Sequence, residues 1–172
     1  MKSKVDIAKE TAEKVHGSQT DKKNFPYMAH VNDVAKRVQQ LGEDYFIVGL
    51  LHDVIEDAVK HNEGLRFQEE IKNLIKTTFN QEVVNAINAM TKLPEDDYFE
   101  DYLPRVKKNN IAKKVKIADS SHNLSKAHLL DNEPELQEKL RNKYIKVLSE
   151  LGADGPSCEK PIIFMDGEWV EK

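Results

Sequence analysis

The stretch Tyr45–Asp57, YFIVGLLHDVIED, constrains the fold more than any other part of the chain. Tyr45 to Leu51 are apolar nearly all round, and the stretch then meets His52, Asp53, Glu56 and Asp57. A helix without a polar face belongs at the centre of a bundle. A buried helix that ends in four ionisable groups is stable only where something compensates their charge. A divalent cation does this, and with open coordination positions it makes a nucleophile of water near neutral pH. Read as one continuous helix, the stretch presents His52 and Asp53 about 100° apart, so both reach an ion only if it sits beside the helix between them. Glu56 and Asp57 then follow one turn later on the same side.

Helical spacing recurs around this stretch. Val31, Val34, Val38 and Leu41 repeat at three- and four-residue steps, and Gly42 is a stop signal. Phe67, Ile71, Leu74 and Ile75 form the next stripe, ending near Phe79. Asn80 is placed to cap a helix carrying Val83, Val84, Ile87 and Met90. Pro94 and Glu95-Asp96-Asp97 interrupt the pattern, which resumes over Tyr98–Lys108 and again from Asn110 through Asp119. Pro134 suits the first turn of a last long helix with Leu136, Leu140, Tyr144, Val147, Leu148 and Leu151 on one face. Gly152 suits its end. The tail differs, reading as two short strands around Asp166-Gly167. The expected architecture is an all-α helical bundle over residues 1–152. Residues 153–172 form a tail whose β-hairpin packs on that bundle. The segment His61–Leu65 is the expected mobile loop.

Composition narrows the function. Hydrophobic residues make up 39% of the 172 and charged residues 33%, the balance of a helical globular domain. A net charge of -4 argues against a surface for polymeric nucleic acid, while leaving room for a local basic pocket. The apolar run Tyr45–Leu51 is far too short to cross a bilayer. A single cysteine, Cys158, closes no internal disulfide and favours a reducing compartment. With no apolar leader core in Met1–Asp6, the expected location is cytoplasmic. A small ligand is the expected partner, and homo-oligomer formation stays open.

Three blocks carry a family resemblance. The first is His16-x-x-Gln19-x-Asp21-Lys22-x-x-x-Pro26-Tyr27-x-x-His30. The second is Leu50-Leu51-His52-Asp53-x-x-Glu56-Asp57, and the third Val115-Lys116-Ile117-Ala118-Asp119-x-x-x-Asn123-Leu124. In this order they resemble the HD-domain phosphohydrolases, whose pattern is H…HD…D. More narrowly, they resemble the RelA/SpoT hydrolase domain of the stringent response and its small stand-alone relatives of the metazoan SpoT homologue type. The resemblance implies an HD helical bundle in which His30, His52, Asp53 and Asp119 hold a divalent metal, manganese being the expected ion. It implies Glu56 and Asp57 as the catalytic acids, and Lys22, Tyr27, Asn123 and Tyr144 on the substrate side. The implied reaction removes the 3′-pyrophosphate of (p)ppGpp to give GDP or GTP.

The chain also departs from the family. Val31 follows His30 where relatives carry proline, and Ser18 stands where a glycine is expected. Asp21 stands where the bifunctional enzymes carry the arginine that packs on guanine. That departure keeps other substrates in view: a nucleoside monophosphate, a cyclic nucleotide, or NADPH losing its 2′-phosphate. A module that senses a nucleotide without hydrolysing it is the other class. Among the remaining residues, His61 and His128 read as solvent-facing, and His122 as a second-rank or surface residue. Lys107, Lys108, Lys113, Lys114 and Lys116 read as a solvated basic face. One or two of them, or Arg105, could close over a pyrophosphate. Cys158 has no activating histidine nearby in sequence, and Trp169 is expected to cover core surface.

Overall fold

The computed structural model describes residues 1–172. The chain divides into two compact units, residues 1–115 and 116–172. The first is helical throughout: α1 (Lys4–His16), α2 (Tyr27–Val38), α3 (Glu43–Leu51), α4 (Val54–Ala58), α5 (Gly64–Thr78), α6 (Gln81–Met90) and α7 (Leu103–Lys108). Helix α8 (Asn110–Lys126) begins in the first unit and runs on into the second. The second unit continues with α9 (Pro134–Glu150) and the strands β1 (Ile162–Met165) and β2 (Glu168–Glu171).

Helix α3 holds the central position that its composition demands. It lies against α1, α2 and α6, and Ile47, Val48, Leu50 and Leu51 are buried. Its approach to α2 is unusually close, because a Cβ on Gly49 would stand 2.7 Å from the Ala35 Cα. Val31, Val34, Ala35 and Val38 of α2 close that contact from the other side. Leu41, expected in the same stripe, is instead exposed in the short 3-10 turn that follows α2. The chain had already left helical register there, and Gly42 ends the element with a φ of 134°.

The other stripes form as their spacing predicts. Phe67, Ile71 and Ile75 are buried along α5, whereas Leu74 falls on the exposed edge. Asn80 caps α6, its side-chain oxygen accepting from Val83 N at 2.9 Å. The 98–108 segment opens with a π turn capped by Asp97 before continuing as α7. Pro134 starts α9, and Val147, Leu148 and Leu151 are buried at its far end.

In the second unit β1 and β2 pair antiparallel, with Phe164 opposite Trp169. Asp166 and Gly167 both have positive φ, 51° and 84°, as a two-residue type I′ turn requires. The hairpin is pinned to α8. Trp169 meets the His122 ring edge-on at 5.4 Å, and Lys126 lies over the indole. Ser125 donates to Cys158 O and accepts from Lys160 N. His122 is fully buried, so the surface alternative for it does not hold.

Helix α1 is not announced by any hydrophobic stripe, because its buried face is built from small residues, Ala8, Thr11, Ala12 and Val15. Its one strong signal is a capping box, in which Ser3 and Asp6 satisfy each other's backbone N–H groups.

Candidate active site

The stretch 45–57 is not one helix. Helix α3 ends at Leu51, and Asp53 sits at φ -112°, ψ -1°, breaking the rod before α4 begins at Val54. The His52 ring takes part in the break, since its Nδ1 lies 2.8 Å from Gly49 O. A carbonyl can only accept, so Nδ1 carries the proton and Nε2 presents its lone pair. The break also removes the divergence that a regular helix imposes on neighbouring residues. His52 Nε2 and Asp53 Oδ2 come to 3.0 Å.

Those two atoms test whether a metal fits. Both are acceptors, and two lone pairs facing each other at that distance repel unless a cation or proton stands between them. Tyr27, at the start of α2, donates its hydroxyl to the same Asp53 oxygen at 2.5 Å. His30, one turn along α2, packs its ring 5.1 Å from Tyr27 and 5.5 Å from His52. One ligand atom from each of His30, His52 and Asp119 lies within 4.8 Å of the other two, and all three residues are buried. Two imidazoles and a carboxylate in one buried group are a mixed nitrogen–oxygen set of the kind that suits a divalent transition metal.

Asp119 stands one turn beyond the buried Val115 on the unbroken helix α8. Its carboxylate accepts from Lys116 Nζ at 2.9 Å and from Asn123 Nδ2 at 3.1 Å. Lys116 therefore does not belong to a solvated face. It is the residue of the basic run that turns inward, with a side chain only 13% exposed.

The two acids of α4 part company. Glu56 accepts from the backbone N–H of Lys92 and lines a cleft of about 700 Å³ with Ile55, Leu65, Leu93 and Arg105. Asp57 is buried, with one oxygen accepting from Lys60 Nζ at 2.5 Å and the other from Gln19 Nε2 at 2.9 Å. It borders a separate polar cleft of about 520 Å³ shared with Ser18, Gln19, Lys60 and His61. Gln19 and Lys60 were not singled out from the sequence. Gln19 falls inside the first matched block, which was the available signal.

Other expected residues fall as follows. Lys22 is exposed on the loop before α2. Tyr144 is half-buried on α9, with Lys143 Nζ 5.7 Å from its ring. Arg105 is committed elsewhere, its guanidinium donating to Asp96 at 2.6 Å and to Thr91 O at 3.0 Å. That bond, with one from Leu93 N, holds the Asp96 carboxyl below the usual carboxylate range. His61 is not solvent-facing: its Nε2 donates to Val15 O at 2.7 Å and its ring packs on Phe67. His128 likewise turns inward, its Nδ1 donating to Ser125 O at 3.0 Å.

The family described as HD domain matches residues 8–153. A probable GTP pyrophosphokinase of Mycobacterium leprae is 28% identical over 157 residues, 86% of this chain and 18% of that protein. A guanosine-3′,5′-bis(diphosphate) 3′-pyrophosphohydrolase of Aquifex aeolicus is 32% identical over 93 residues, 53% of this chain and 12% of that protein. The chain thus spans less than a fifth of the length of these curated relatives. Among solved structures, a metazoan SpoT orthologue described as hydrolysing ppGpp superposes with a TM-score of 0.70 at 20% identity. The match covers 92% of this chain and 91% of that one, which establishes the shared fold.

Proposed function

The chain belongs to the HD domain family, and from that premise we propose that it is a metal-dependent phosphohydrolase that removes the 3′-pyrophosphate of (p)ppGpp to give GDP or GTP. The observation that carries the proposal is the grouping of His30, His52 and Asp119 within 4.8 Å, with Asp53 Oδ2 beside His52 Nε2. The names of the curated relatives and of the SpoT orthologue support the choice of substrate.

His30, His52, Asp53 and Asp119 would hold the ion, and manganese is our choice for that donor set. A divalent ion there supplies Lewis acidity toward a phosphoryl oxygen and makes a nearby water more acidic. The protein supplies the rest. Gly49 O fixes the His52 tautomer, and Tyr27 fixes the Asp53 carboxylate. Glu56, carried by α4 just past the break, is the group we assign to orient the attacking water and accept its proton. Lys116, held at Asp119, is the cation we assign to offset charge gathering on the phosphoryl oxygens. Lys22, Asn123 and Tyr144 complete the substrate side. The expected setting is cytoplasmic, in keeping with the free thiol of Cys158.

One observation favours testing a second substrate. Asp21, standing where an arginine packs on guanine in the bifunctional enzymes, is a loop-building residue here. Its Oδ1 accepts from Lys23 N at 2.9 Å and Phe25 N at 3.1 Å. It has no surface to stack on a base, so discrimination for guanine is expected to be weak. Chromatographic analysis of ppGpp and NADPH, each incubated with and without manganese, tests both points. We expect GDP and pyrophosphate from ppGpp in the presence of manganese only. Release of phosphate from NADPH with ppGpp untouched would transfer the assignment to the second substrate, and no product from either would end it.

A further inference from the structure

His16 is fully buried at the end of α1 and is neither one of the four metal-holding side chains nor one of the two acids of α4. Its Nδ1 lies 2.8 Å from Gln19 Oε1, while Gln19 Nε2 donates to Asp57 Oδ2 at 2.9 Å. The polarity of this chain runs one way only. The Asp57 carboxylate can only accept, so Gln19 must turn its NH₂ toward it. The amide oxygen then faces His16, so Nδ1 must carry the proton. A flipped Gln19 would set its oxygen against the Asp57 carboxylate, acceptor against acceptor. The buried Nε2 has no hydrogen-bond partner in the protein, as the acceptor end of that tautomer. Burial also holds the ring toward the neutral form.

The position of this chain gives it a function. Helix α4 is five residues long, too short to hold its own direction. Both Asp57 oxygens are already taken, by Gln19 and by Lys60. The loop that carries Gln19 is itself tied down, with Gln19 N donating to His16 O and Tyr27 N donating to Gln19 O, both at 2.9 Å. His16 also packs on Tyr27, whose hydroxyl holds Asp53.

We propose that His16 is a positioning residue that acts through Gln19 on Asp57, anchoring α4 so that Glu56 meets the reacting water. Asp57 then contributes by holding the helix, and Glu56 by accepting the proton. This rests on the hydrolase reading above.

Three single variants, one double variant and one spectrum test it. His16→Leu keeps the volume and removes the donor, and His16→Asn retains a donor where Nδ1 stood. Gln19→Met breaks the link from its other end. We expect His16→Leu to lower kcat by about 10–100-fold, with KM for ppGpp and manganese content unchanged. His16→Asn should recover most of the loss. Gln19→Met should match His16→Leu, and the double variant should lose no more than either alone, because the two act in series. In metal-free wild-type protein, nitrogen-15 NMR of the histidine rings should show His16 as the neutral Nδ1–H tautomer through the neutral pH range.

An imidazolium or an Nε2–H tautomer would overturn the proposal without reference to activity. So would full kcat in Gln19→Met, which also serves if His16→Leu does not fold. Equal losses in His16→Leu and His16→Asn would assign the residue to packing alone. A wild-type protein that turns over no nucleotide would instead defeat the functional reading, leaving the tautomer result to judge this one.

Discussion

Replacing Glu56 with glutamine is expected to leave the protein folded and its metal bound while lowering kcat by about 10²–10⁴-fold. The substitution is nearly isosteric, and the glutamine oxygen can still accept the Lys92 N–H that Glu56 now accepts. What disappears is the capacity to take a proton from water. The loss should therefore fall on kcat, with KM and manganese content close to wild type. A parallel loss of metal would mean that Glu56 helps to hold the ion, and unchanged turnover would remove it from the reaction.

The second large effect concerns the approach of the two helices that carry the histidines. Any side chain at Gly49 meets the α2 backbone, with the Ala35 Cα at 2.7 Å and its N at 3.2 Å. A backbone cannot rotate aside as a side chain can, so α2 and α3 must separate. Overpacking of this kind costs about 1–3 kcal/mol. Alanine is a poor test, because its better helix propensity returns about 1 kcal/mol. Valine gains little propensity over glycine and adds two further methyl groups. Gly49→Val should thus lower Tm by roughly 2–12 °C, at about 2–4 °C per kcal/mol for a chain of this size. Because His30 lies on α2 and His52 follows α3, manganese affinity should fall as well. Thermal unfolding with and without manganese reads both effects. An unchanged Tm and an unchanged manganese-induced rise would show that the close contact is not what spaces the two imidazoles.

The residues most legible from sequence were those governed by local rules. Val31, Val34 and Val38, the Asn80 cap, the Pro134 start and the Asp166-Gly167 turn each announce themselves through periodicity or backbone preference. Helix α1 did not, because packing against α3 and α4 selects small residues that carry no stripe. The break at Asp53 was hidden for a different reason. Nothing in LLHDVIED forbids a continuous helix, and the interruption belongs to His52 turning back onto Gly49 O. Tertiary structure likewise decided that His61 would reach Val15 O across 46 positions and that Asp57 would meet Gln19 across 38. The site residues themselves came from the order of three motifs, which spacing alone could not bring into one place.

In the proposed active site four side chains hold one ion beside a water-activating carboxylate. Anomalous diffraction at the manganese edge from crystals grown with manganese tests it most directly. We expect a single strong peak within bonding distance of His30, His52, Asp53 and Asp119, with Glu56 facing a water next to it. A fully occupied ion bound through other residues, or one that leaves either histidine uncoordinated, would contradict it.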